Sequence, residues 1–152
     1  MNTLLKMTGL GGLISLYRYV YFNGPRTIQL SGIGLLLLIG VIHLYRLPEH
    51  YEAARYVGVS FGALFAGVLL SVYGILLGRR WGWTLGAVIS GAAFAGYIAS
   101  RALGLPGFEE GVGRWGPLGT VTLGLEALYV GLWFSIITGM NVAAPDERRW
   151  QD

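Results

Sequence analysis

Two arginines, Arg79 and Arg80, are all that stands between an uncharged run of 23 residues at 56–78 and another of 20 residues at 81–100. An α-helix rises 1.5 Å per residue, so about 20 apolar residues cross a bilayer core roughly 30 Å thick. Both runs meet that length. Neither alternates apolar and polar residues with the period of two that a membrane β-strand requires. Composition points the same way, with 54% hydrophobic and only 12% charged residues, where a soluble domain carries roughly a quarter charged. The chain reads as an all-α integral membrane protein of one domain over residues 1–152, a bundle of four transmembrane helices preceded by an interfacial amphipathic segment.

The segment 1–26 is apolar but interrupted by Lys6, by Gly9, Gly11 and Gly12, and by Arg18 among Tyr17, Tyr19 and Tyr21. Tyrosines clustered around an arginine suit the headgroup layer, and no small-x-small cleavage site follows the apolar stretch. Asn23-Gly24-Pro25 reads as a break. Spans follow at about 28–46, 53–78, 81–101 and 117–140, with a polar tail at 141–152. Leu47-Pro48 reads as the stop of the first span, with Pro48 opening the next helix, where its missing N–H costs nothing. Trp81 and Trp83 mark an interface, a Gly-Leu-Pro-Gly turn lies at 104–107, and a loop with Glu109, Glu110 and Arg114 leads to Trp115 and Pro117.

Basic residues orient such a bundle. With both termini in the cytoplasm, the inner side holds Lys6, Arg18, Arg26, Arg79, Arg80, Arg148 and Arg149, against Arg46, Arg55, Arg101 and Arg114 outside. The same rule accounts for a net charge of +3, so nucleic acid is not expected as a partner. The chain has no cysteine, which excludes disulfides and thiolate metal sites. Small residues recur every four positions at Gly58/Gly62/Ala66, Gly82/Gly86/Ser90, Gly91/Ala95/Ala99 and Ala127/Gly131/Ser135/Gly139. In lipid, close backbone approach along such stripes replaces the hydrophobic effect in holding helices together. The expected partners are therefore the bilayer itself and either other membrane subunits or further copies of the chain.

Few residues here can carry chemistry. Glu126 falls about ten residues into the fourth span, where a carboxylate costs several kcal/mol unless it is protonated or paired. Its readings are a proton carrier, a metal ligand, a counter-charge, or a hydrogen-bonded strut between helices. The tract from His43 to Glu52 places His43, His50, Glu49 and Glu52 near what reads as a helix–helix corner. Two imidazoles with carboxylates can hold a divalent metal; one imidazole can ligate haem or a chlorophyll-type pigment; or the group caps the corner. Arg101 complements the C-terminal end of the third span or reaches inward toward Glu126. No catalytic residue set, phosphate-binding loop or His-Glu-x-x-His motif is present.

Three elements together, His-Leu-Tyr-Arg-Leu-Pro-Glu-His at 43–50, Arg-Trp-Gly-Trp-x-Leu-Gly at 80–86 and Ser-Arg-Ala-Leu-Gly-Leu-Pro-Gly at 100–107, carry a resemblance. Over about residues 30–140 the chain resembles a loose group of small, functionally uncharacterised four-span bacterial membrane proteins, and that resemblance implies topology alone. The expected role is an accessory membrane subunit, more a structural component than an enzyme. A metal- or proton-handling protein using His43, His50 and Glu126 is the alternative, and a haem- or pigment-binding subunit the second. The expected location is a bacterial plasma membrane.

Overall fold

A computed structural model describes the backbone of residues 10–108 and 112–138 and the side chains of residues 26–108 and 112–138. Lys6, Arg18, Glu109, Glu110, Gly139 and the tail 141–152 lie outside the described side chains. Four helices follow one another: α1 Leu10–Ala53, α2 Arg55–Leu76, α3 Arg80–Ala102 and α4 Pro117–Ile137. Each contains a stretch long and apolar enough to cross a bilayer, with mean hydropathy from 1.3 to 2.1. In α1 that stretch is Arg26–Ala53. The outward faces confirm the solvent they are made for. Leu38 of α1, Val59 of α2, Val88 of α3 and Leu128 of α4 are each more than half exposed, while Ser71, Ser90, Thr122 and Glu126 are buried inside.

Two breaks expected from the sequence are absent. The α1 backbone is helical through Asn23-Gly24-Pro25 and again through Leu47-Pro48. A proline removes one N–H from the ladder, and membrane helices tolerate that loss where the freed carbonyl finds another partner. The corner instead lies at Ala54, whose extended backbone (φ −154°, ψ 113°) separates α1 from α2. The Ala54 N–H still donates to the His50 carbonyl at 2.9 Å, and the Ala54 carbonyl accepts from Val57 and Gly58. Gly58 makes this corner possible. A Cβ there would lie 2.5 Å from the Tyr51 Cα. The second span consequently starts at Arg55, two residues later than expected. The third and fourth spans begin where Arg80 and Pro117 place them, with Pro117 in the first turn of α4.

The α2–α3 turn closes on Gly78 at φ +70°. Arg79 N–H donates to the Gly74 carbonyl at 2.9 Å and Gly78 N–H to that of Ile75 at 3.0 Å, the paired bonds of a Schellman end. Just beyond it α2 and α3 touch backbone to backbone, since a Cβ on Gly82 would lie 2.6 Å from the Gly74 carbonyl carbon. Ser71 Oγ donates to the Gly82 carbonyl at 2.6 Å and Gln29 Nε2 to that of Ile75 at 2.8 Å. Leu36, Ile39, Val68, Ile75, Trp83, Ala87, Tyr129 and Ile136 fill the space between all four helices at this end. The other half of the bundle is not filled.

Candidate functional site

In the half of the bundle that carries the α1–α2 and α3–α4 connections, the helices line a partly open cavity of about 390 Å³. Its lining on α3 extends from Ile89 to Arg101, a distance of about 18 Å along the helix axis. Arg46, His50, Tyr56, Arg101 and Phe108 line it toward the connections, and His43 and Glu126 line it at depth. The packed core begins one turn below that depth, with Ile39 beneath His43 and Tyr129 beneath Glu126. Glu126 lies nine residues past Pro117, roughly 14 Å along the axis, so the cavity reaches to about mid-bilayer depth.

Helix α1 fixes both imidazoles. His43 Nδ1 lies 2.9 Å from the Ile39 carbonyl and His50 Nδ1 lies 3.0 Å from that of Arg46. A carbonyl only accepts, so in each ring Nδ1 carries the hydrogen and donates it. Nε2 of a neutral ring is then a bare acceptor turned away from its own helix. For His43 it lies 3.6 Å from Glu126 Oε1. Two acceptors facing each other at that separation repel unless a proton sits on one of them. A proton shared between them would let the pair meet as carboxylic acid with imidazole or as carboxylate with imidazolium. Glu126 is 1% exposed, and its Oε2 is buried with no hydrogen-bond partner.

The two histidines do not face each other across a turn. They sit seven residues apart on one continuous helix, about 10 Å and two turns, because Pro48 does not end α1. The Phe61 ring of α2 lies between them, its centroid 4.8 Å from that of His43 and 4.7 Å from that of His50. Phe108 covers His50 from the loop side at 5.4 Å. Glu49 pairs with Arg46 at 3.2 Å and keeps a side chain 69% exposed, and Glu52 is exposed as well. Among the described residues no three or more histidines and carboxylates converge as a metal ion would need. Arg101 turns along the cavity wall, with its guanidinium carbon 5.0 Å from the Tyr97 ring centroid.

Several lining residues carried no signal in the sequence. Tyr97 lies one turn before Arg101, and its hydroxyl is buried without a hydrogen-bond partner. It fits only because the facing residue on α4 is Gly119, where a Cβ would lie 2.6 Å from the Tyr97 Cζ. Thr122 turns its hydroxyl back to the Leu118 carbonyl at 2.8 Å. Ala92, Ala93 and Gly96 form a low wall on α3. An arrangement of this kind can store a proton away from water and present hydrogen-bonding groups to a molecule in an apolar chamber.

No family model, curated protein or solved structure matches this chain.

Proposed function

We propose that this is a proton-handling membrane protein, in which the His43–Glu126 pair takes up and releases a proton from the end of the bundle bearing the α1–α2 and α3–α4 connections. The observation that carries this reading is the pair itself, 3.6 Å apart at the deep end of a cavity. Among the described residues the other half of the bundle is densely packed, with Leu36, Val68 and Tyr129 fully buried. The charged and titratable groups that share the chamber are Arg46 and His50 on α1, Tyr56 on α2, and Tyr97 and Arg101 on α3.

Infrared difference spectroscopy in lipid tests the reading. Titration between about pH 5 and 9, where imidazole and buried carboxyl groups exchange protons, is expected to move the carbonyl band of a protonated carboxylic acid. Glu126→Gln should remove that band. His43→Gln should shift its midpoint. A band that ignores pH across this range, or that survives Glu126→Gln, would refute the proposal.

The role of an accessory subunit has support of a different kind. Gly91, Gly124 and Gly131 have nothing within 4 Å of an added Cβ, so these small-residue faces are not used by the chain's own packing and are available to a neighbouring membrane helix. The orientation proposed, with both termini cytoplasmic, rests on the distribution of arginine and lysine, and the membrane proposed is a bacterial plasma membrane. In the cysteine-free chain, Trp115→Cys should react with an impermeant maleimide on intact cells and Leu77→Cys should not. The reverse pattern inverts the orientation, and with it the side from which protons arrive.

A further inference from the structure

The hydrogen-bonding inventory of the cavity specifies what it lacks. Glu126 Oε2 and the Tyr97 hydroxyl are both buried, line the same cavity and have no partner. Buried polar atoms seldom go without a partner, and each unmade bond costs about 1–3 kcal/mol, so a ligand that bonds to these atoms gains by it. Glu126 Oε2 calls for an O–H or N–H donor when the carboxyl group is ionised, and the Tyr97 hydroxyl for an acceptor.

Charge narrows the choice. Glu126, when it is ionised, repels an anion at the deep end, and nearer the connections the wall already holds the guanidinium groups of Arg46, paired with Glu49, and Arg101, which do not attract a cation. A neutral head satisfies both ends. The walls select shape: Phe61, flanked by both imidazoles, stands on α2, and the low surface of Ala92, Ala93 and Gly96 belongs to α3. A cavity with one aromatic and one low wall suits a flat ring, since rings pack offset or edge-on against one another. A volume of about 390 Å³ lies at the small end of ligand pockets, which range over roughly 300–1,000 Å³. It suits one substituted ring.

We propose that this cavity binds a neutral, apolar molecule with a ring-borne hydroxyl, of the phenol or hydroquinone class, whose O–H is donated to Glu126 and whose oxygen accepts from Tyr97. The proposal rests on the proton-holding reading of Glu126, since the head donates to the carboxyl group that the proton leaves. Such a head occurs both on small soluble phenols and on lipid-tailed ones, and chain length separates these two sources.

The test uses the full chain in lipid nanodiscs at about pH 8, with 4-propylphenol and its methyl ether 4-propylanisole as probes, followed by calorimetry. The phenol should bind saturably. The ether, which has the same ring and no donor, should bind about tenfold more weakly, the worth of one hydrogen bond to an ionised group. Tyr97→Phe should weaken the phenol several-fold. Gly96→Leu should abolish binding by filling the slot, yet leave the thermal midpoint unchanged, because a Cβ at Gly96 meets nothing within 4 Å. Comparison with 4-dodecylphenol assigns the source: a gain beyond its greater partitioning into lipid indicates a lipid-tailed ligand, and no gain a small one. Equal binding of phenol and ether, or full binding by Gly96→Leu, would overturn the site. The infrared band of Glu126 is read without any phenol present. Its normal pH response alongside absent phenol binding sinks this proposal alone, and a band that ignores pH sinks the proton reading independently.

Discussion

Glu126→Lys is expected to deprive the protein of a stable, monodisperse fold in mild detergent, while Glu126→Gln keeps it. Glu126 is 1% exposed and its Oε1 faces His43 Nε2 at 3.6 Å. An ammonium at that position meets a ring whose Nδ1 already donates to the Ile39 carbonyl, so only the Nε2 lone pair is left to receive it. The cavity beside it offers no counter-charge, because its charged lining includes Arg46 and Arg101. Leaving one uncompensated charge inside a packed structure costs roughly 3–5 kcal/mol, a large part of the total stability of a domain this size. Glutamine keeps the volume and can donate an N–H to His43 Nε2, so its cost should stay within about 1.5 kcal/mol, the worth of a neutral hydrogen bond. Thermal unfolding followed by size-exclusion profile separates the two variants. A Glu126→Lys chain as stable as the parent would place residue 126 in open water.

The parts of this architecture that sequence reasoning reached are those set by length and solvent. An uncharged run of 20 residues has few stable forms in a bilayer, so the third span was legible to within a residue at each end, and the fourth began at its proline. The corner between the first two spans was not. Proline reads as a stop because in water the interrupted ladder competes with hydrated alternatives. In α1 the helix continues through Pro48, and the turn falls on Ala54, a residue with no turn preference of its own. The informative residue was Gly58, whose missing side chain admits Tyr51. Misplacing that corner also misplaced the histidines, which became neighbours along one helix instead of across two.

Glu126 announced itself through its depth, but the cavity it lines did not. Small residues at helical spacing look alike whether they bring backbones together or leave a space. Gly82 and Gly86 are buried against neighbouring helices, whereas Ala92, Ala93 and Gly96 line the chamber a few turns on. Which role each takes depends on where α3 diverges from α2, and that is decided by the partner helix. Tyr97 illustrates the same dependence, since its place is made by Gly119, which lies 22 positions away in the chain.

The same contrast sets up the second large effect, a Gly82→Leu substitution compared with Gly91→Leu and Gly131→Leu. Where α2 and α3 meet, an added Cβ at Gly82 would lie 2.5 Å from the Ile75 nitrogen and 2.8 Å from the Gly74 Cα. Those atoms are backbone, and no rotamer change relieves them. The helices must separate, which also breaks the bond from Ser71 Oγ to the Gly82 carbonyl and strains a turn held by the two bonds that end α2. Overpacking commonly costs 1–3 kcal/mol. With helix association in lipid resting on close approach and interhelical bonds, a loss of about 3 kcal/mol or more is expected, visible as a large drop in thermal midpoint. Gly91 and Gly131 have open space around an added Cβ, so leucine there should leave the isolated chain unchanged. Those two variants carry information only about neighbours. If the chain works beside other membrane subunits through these faces, native electrophoresis from the source membrane should show the assembly shrinking in Gly91→Leu or Gly131→Leu while the monomer stays folded. Parental stability in Gly82→Leu would mean that α2 and α3 do not touch at this point.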